Sequence, residues 1–359
     1  MTRSISIISF MLSALISLVG GTVLGVVSGL PVGAVAGVLF AASFIPMPKG
    51  TALMAIQREI WLEDIVANLF KSNPHLNYAV NADQFVLQGK VVHIPNAGSK
   101  PSVTRNRDSL PATVVQRTDV DITFNLDEFT TAPMLITNAD DAELSYDKRQ
   151  SVIGEHSDAL AELIGDWFFY YWAPTASTQM VRTSGASTPA HVGTGVRKAV
   201  TLQDILDIQT KMNSNSVPAK DRYAVLDSQL YAQLQKDMTA TQYRDFTQHQ
   251  NVAEGVLGKL YGFTILDPRA TVLRYSNAAT PVPYEPGSDS TADTDFAGGL
   301  FWQRNSVIRA LGMTDFYEDT GNPTYYGDIY SALVRAGGRK RRNDAKGVVA
   351  LVQQVYTEG

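Results

Sequence analysis

The sequence predicts an α+β protein carried behind an apolar N-terminal stretch. Three observations predict it. Apolar residues switch repeatedly between helical and extended spacing, without the strand–helix–strand regularity of a doubly wound sheet. Ser157 to Trp172 is strongly helical, with Leu160, Leu163, Ile164, Trp167, Phe168 and Tyr171 at i, i+3, i+4, i+7, i+8 and i+11. Asp119 to Asp127 alternates strictly: Val120, Ile122, Phe124 and Leu126 fall on one face, and Asp119, Asp121, Thr123, Asn125 and Asp127 on the other, as in a half-buried strand.

Composition narrows the function classes. A chain of 359 residues suffices for two domains or one elaborated domain. A net charge of −5 argues against a protein whose whole surface binds nucleic acid. With no cysteine, disulfides, thiolate metal sites and thiol nucleophiles are excluded.

From Ser4 to Pro48 there is no charged residue. Gly21, Gly25, Gly29, Gly33 and Gly37 recur every fourth position, a stripe that lets membrane helices approach closely. Pro31 divides the run, and Arg3, Lys49 and Arg58 flank it, so the pattern reads as a hairpin with both ends on the cytoplasmic side. Two other readings remain. One is a secretory signal, whose apolar region would be shorter than this. The other is translation starting at Met54, within "MAIQREIW".

Downstream, Ile56–Phe70 is predicted helical, ending before Pro74. "FVLQGKVVHIP" predicts a hairpin turning at Gln88-Gly89-Lys90. A polar excursion, "NAGSKPSVTRNRDSLP", leads back through "ATVVQRT" into the alternating strand. It has too little apolar surface to bury itself, so it must lie against another body. "SYDKRQSVIGEHS" extends the main helix toward its N-terminus. Thr201 is an expected N-cap for a helix burying Leu202, Ile205 and Leu206. "RYAVLD" reads as a buried strand, "SQLYAQLQKD" as a helix and "GKLYGFTILDP" as a turn into a strand. "LFWQRNSVIRALG" reads as a strand with helix as the alternative, and "KGVVALVQQVY" as a buried strand.

Catalytic signatures are missing. There is no Walker loop, GxGxxG or HExxH. His75, His93, His156, His191 and His249 are scattered with no i, i+4 pair, which favours surface or loop histidines over a metal site. Asp119-Val-Asp121 matches a DxD motif but is already explained by strand alternation. Glu155, Asp158 and Glu162 form a solvated or interface face. The one basic cluster, "GGRKRR", places Arg339, Lys340, Arg341 and Arg342 as a phosphate or interface contact; the plainer reading is a solvated turn or a salt-bridged contact.

"MAIQREIWLEDIVANLF", "NADQFVLQGKVVHIPNAG", "VQRTDVDITFNLDEFTTAP", "ELSYDKRQSVIGEH" and "GGRKRRNDAKGVVALVQ" resemble the major capsid proteins of tailed bacteriophages, in particular those of Bacteroidota phages and prophages. The resemblance runs from Met54 to Gly359. It implies the Hong Kong 97-like capsid fold behind a hydrophobic segment (1–48): an N-terminal arm (49–80), an extended hairpin or E-loop (81–130), a peripheral domain with a long spine helix (131–178), an axial domain (179–300), a return through the peripheral domain (301–344) and a final axial strand (345–359). It implies a structural virion protein rather than an enzyme, with no cofactor or metal. Such a subunit would assemble with itself into pentamers and hexamers, meet portal and other virion proteins, and enclose double-stranded DNA through non-specific contacts. Its place would be the virion capsid, and the host cytoplasm during assembly, with membrane contact through residues 4–46. Lys90, His93, Lys100, Arg105 and Arg107 become candidate intersubunit residues of the E-loop. Some family members cross-link a lysine of this loop to an asparagine; Lys90 lies near the turn, but no partner is evident in the sequence. Two alternatives remain: an encapsulin-like compartment shell and a membrane-anchored domain that forms no shell.

Overall fold

The computed structural model describes residues 51–87, 91–96, 120–137, 148–288, 295–342 and 344–357, with positions 103, 105, 106 and 114. The predicted membrane hairpin and most of the E-loop tip lie outside them. The chain divides into two units, 1–60 and 61–359, and of the first only the opening of a helix is described. Among the described residues no helix is long and apolar enough to cross a membrane.

Helix α1 spans Thr51–Ser72. The next turn, Pro74–Tyr78, is 3-10, because Pro74 has no N–H to continue the α-helical ladder. Short strands β1 (Val80–Asn81) and β2 (Val86–Leu87) lead into β3 (Val91–Asn96). Leu87 pairs with Val91, which brackets the predicted turn. Strand β4 (Val120–Asn125) pairs antiparallel with β3, and β5 (Asp127–Thr130) and β6 (Met134–Thr137) follow. Helix α2, Lys148–Trp172, contains the predicted helix and its extension from Lys148 onward; Ser145 to Asp147 lie outside the described residues.

Strands β7 (Met180–Arg182), β8 (Ser187–Pro189) and β9 (Val196–Lys198) precede helix α3 (Leu202–Ser214). Thr201 caps α3 as expected: it accepts from the Asp204 N–H, and the Asp204 carboxylate accepts from the Thr201 N–H in return. Then come β10 (Arg222–Val225), α4 (Ser228–Asp237) and α5 (Ala240–Thr247). A hairpin, β11 (Val256–Leu260) with β12 (Phe263–Leu266), follows, then β13 (Leu273–Tyr275), β14 (Phe296–Gln303), β15 (Val307–Asn322), β16 (Gly327–Lys340) and β17 (Val348–Val352).

Two sheets organise these elements. The first runs β1-β15-β16-β5, with β6 also on β16. The second runs β11-β12-β10-β14-β17-β7, with β13 on β14. Every residue of β14 is buried, as expected of a strand covered on both faces. One core lies between the first sheet, residues 61–72 of α1, α2 and one face of the second sheet; it holds Phe168, Phe169, Trp172, Trp302, Phe316 and Tyr330. The other packs α3, α4 and α5 on the opposite face through Ile205, Ile208, Leu230, Leu234, Phe246 and Phe301.

Two expectations are corrected. "LFWQRNSVIRALG" is two strands joined by a 3-10 turn at Arg304–Ser306, not one element. "GGRKRR" is only in part a turn: Gly337 to Lys340 are the last residues of β16, whose Tyr330, Ala332, Val334 and Ala336 alternate inward, while Arg341 and Arg342 form the bend that follows and Arg342 makes a salt-bridged contact with Asp344. A Cβ on Gly338 would come within 2.9 Å of the Phe168 ring and 3.0 Å of Trp172 Nε1. The glycine therefore lets α2 settle onto the strand, where Trp172 Nε1 donates to the Ile308 carbonyl at 3.0 Å.

Candidate functional site

With no catalytic cluster evident from the sequence, the groups that bear on function are those that shape the outer surface. The most distinct is the ribbon β2-β3-β4. Its root is buried: Val92 and Leu126 pack with Ala82, Ile308 and Ala310 in a small separate core. Beyond Asn96 the described positions are open, with Val103 96% and Val114 94% exposed. His93 is exposed on β3 opposite Thr123, and Arg105 sits at an exposed bend. Lys90, Lys100 and Arg107 lie outside the described residues. Of the five candidates, the two that are described, His93 and Arg105, are both exposed.

The basic cluster is partly engaged within the subunit. Arg339 donates to the Thr123 carbonyl at 2.6 Å, fastening β16 to the ribbon. Lys340 donates to the Ala173 carbonyl at 2.5 Å, placing its charge at the C-terminal end of α2, where the helix dipole favours a cation. Burial, and secondarily Arg339, pulls the Lys340 ammonium below its usual pKa. Arg342 grips Asp344 with two bonds, at 3.0 and 2.8 Å, and the Arg342 fork holds the Asp344 carboxyl below its ordinary range. Arg341 is exposed.

Two further surfaces complete the exterior. Met313 and Tyr317 on β15, Tyr325 and Tyr326 at the β15–β16 turn, and Met134 and Leu135 on β6 are all exposed. Large apolar side chains gathered toward one end of a sheet suit contact with another protein. The sequence reading missed this surface, because the residues come from three segments joined only by pairing. On α2, Glu155, Asp158 and Glu162 are exposed as expected, with Asn68 donating to Asp158 at 2.7 Å.

The histidines divide differently from the surface or loop expectation. His75 and His156 are buried, because each falls on the core side of its segment. His191 lies 2.9 Å from the Ala270 carbonyl and 3.6 Å from Asp227. Among the described residues no three His, Asp or Glu side chains are grouped to hold a metal ion. One cleft among the described residues measures about 300 Å³, beside Asp166, Tyr170 and Glu285, and another about 210 Å³, beside His75 and Arg269.

No protein-family model matches the chain. No curated protein matches it either. Solved structures do. The capsid of the cyanophage P-SCSP1u is 20% identical over 78% of this chain and 87% of its own, with a TM-score of 0.56. The capsid of Ralstonia phage GP4 is 15% identical over 79% and 88%, with a TM-score of 0.58. The head structure of Helicobacter pylori bacteriophage KHP40 is 14% identical over 80% and 91%, with a TM-score of 0.52. The chain has the Hong Kong 97-like capsid fold.

In this capsid fold the buried polar groups act as internal ties. Asn73 is fully buried and donates to the Leu69 and Ala161 carbonyls at 3.0 and 2.7 Å, joining α1 to α2. Arg269, from the loop after β12, donates to Asn73 and, at 2.6 Å, to Asp166 on α2. A Cβ on Gly165 would lie 2.0 Å from Asn73 Oδ1, so only glycine leaves room for this tie. Arg222 is 2% exposed, and its guanidinium is taken up by the Pro218 and Val217 carbonyls and Asn213. Tyr171 donates to Asp127, and Arg335 pairs with Glu128 at 2.7 Å, holding β5 against its neighbours.

Proposed function

We propose that this chain is the major capsid subunit of a tailed phage or prophage, assembling into an icosahedral shell around double-stranded DNA. The observation that carries the reading is the breadth of the capsid likeness, which takes in 77–80% of this chain and 87–91% of the phage chains compared. Two described features support it: the ribbon β2-β3-β4 is rooted in a small core of its own, and large apolar side chains stand exposed on β6, β15 and the β15–β16 turn. In this reading residues 49–80 are the arm, 81–130 the E-loop, 131–178 and 301–344 the peripheral domain, and 179–300 with 345–359 the axial domain. The subunit turns over no substrate. Each contact is weak, but a closed shell repeats it many times. The partners are copies of itself in pentamers and hexamers, a portal and other virion proteins, and packaged DNA, for which the exposed Arg341 is the freest contact of the basic cluster. Residues 4–46 would meet the membrane during assembly.

Electron microscopy of the purified full-length protein tests this. Closed particles or capsomers are expected, and particles isolated from producing cells should contain DNA. A stable monomer at high concentration would remove the shell reading. Shells loaded with a cargo protein and no DNA would replace the phage by a compartment.

A further inference from the structure

His75 occupies an unusual position for a titratable group. It is 3% exposed, its ring stacks on Phe169 with centroids 4.2 Å apart, and it meets the edge of Trp172. It follows α1 directly and packs on the end of α2, so it sits at the seam between the helical segment 61–72 and the body. The Gly165 carbonyl takes the proton of one ring nitrogen, while Nε2 has no partner. The ring is therefore a neutral imidazole with one bare acceptor. The cleft of about 210 Å³ bordered by Lys71, Ser72, His75, Asp267 and Arg269 brings the outside to this seam.

The charged groups around the ring are Lys71 on its own segment, Asp166 on α2, and Asp267 and Arg269 from the loop after β12. Asp166 is committed to Arg269 at 2.6 Å and so offers no free counter-charge. An imidazolium here would be desolvated and would face the Arg269 guanidinium. We propose that His75 is an acid-operated latch: protonating it opens the seam and frees the segment 61–72 from α2. This inference concerns the subunit itself and does not depend on the capsid reading.

The direction follows from linkage. Burial first, and Arg269 second, hold the ring's proton affinity well below that of an ordinary imidazole, whose pKa is 6.5. Released, His75 recovers the ordinary value. Below about pH 6.5 the open form therefore binds one more proton than the closed form, and its population rises about tenfold per pH unit until the closed-state pKa is reached.

Hydrogen exchange of the full-length protein, followed by mass spectrometry on peptides covering 61–73 between pH 8 and 5, tests the latch. After correction for the pH dependence of exchange chemistry, protection should be constant above pH 6.5 and fall about tenfold per unit below it. His75→Phe and His75→Gln, which do not titrate in this range, should each lose the slope. A residue with only a packing role would lower protection equally at every pH. A flat profile in the natural protein, or an unchanged slope in whichever variant folds, would overturn the proposal. So would a slope abolished only by His156→Gln.

Discussion

Gly165→Ala separates two physical effects of opposite sign. In an isolated helix, alanine is favoured over glycine by about 1 kcal/mol. In α2 the new Cβ would stand 2.0 Å from Asn73 Oδ1, 2.7 Å from Asn73 Cγ and 3.0 Å from Arg269 Nη1. Asn73 cannot rotate away without giving up its bonds to Leu69 or Ala161 and its contact with Arg269. One neutral bond and one to a guanidinium are together worth about 3 kcal/mol, and overpacking adds about 1–3. Net of the helical gain, the subunit should lose about 3–5 kcal/mol. Urea denaturation of the dissociated subunit measures this as a lower midpoint at unchanged slope. Gly154→Ala is the control. It lies in the same helix with nothing within 4 Å of its Cβ, so it should gain up to about 1 kcal/mol. If Gly165→Ala matched Gly154→Ala, the tie among Asn73, Arg269 and α2 would contribute nothing, and the argument would fail.

Other outcomes are expected. Deleting residues 100–110 should abolish shell assembly while leaving the subunit's far-ultraviolet circular dichroism intact; shells at normal yield would refute the ribbon's role. Tyr325→Ser with Tyr326→Ser, both exposed, should change subunit stability by less than about 0.5 kcal/mol yet reduce particle yield in sedimentation. Lys340 binds its proton less tightly folded than unfolded, so stability should rise with pH as the medium approaches pH 10.5; in Lys340→Met this contribution should vanish from denaturation midpoints. Arg341→Ala should weaken the salt-resistant retention of DNA in particles more than Arg342→Ala, because Arg342 is already neutralised by Asp344.

The sequence was most legible where local chemistry and burial agree. Helix α2 shows its register because its core face is aromatic and its outer face carries Glu155, Asp158 and Glu162. Thr201 and Asp204 spell out a cap within four residues. Strand β16 was hidden because its inward positions include Ala332, Ala336 and Gly337, whose small side chains barely register in an apolar period. Strand β14 shows no alternation, since both of its faces are covered, and this left helix open as an alternative. The tie at Asn73 was invisible for a different reason. Its partners stand 88 and 196 positions away, and a lone Asn or Arg carries no signal of the fold that joins them.

The position of β17 orders events in time. Its Ala350 pairs with Met180 on β7, and on its other side Leu300 of β14 pairs with the same residue. The strand that joins β14 to the edge strand β7 is thus synthesised after every other strand of that sheet. At ~5–20 residues per second, β7 waits on the order of ten to thirty seconds after leaving the ribosome for its parallel neighbour. β7 lacks its partner throughout that interval, β14 presents an unpaired edge from its own synthesis onward, and the sheet cannot close. A nascent chain therefore remains incomplete until residues 348–352 emerge, and products broken off earlier lack the strand that would let them enter an assembly as finished subunits.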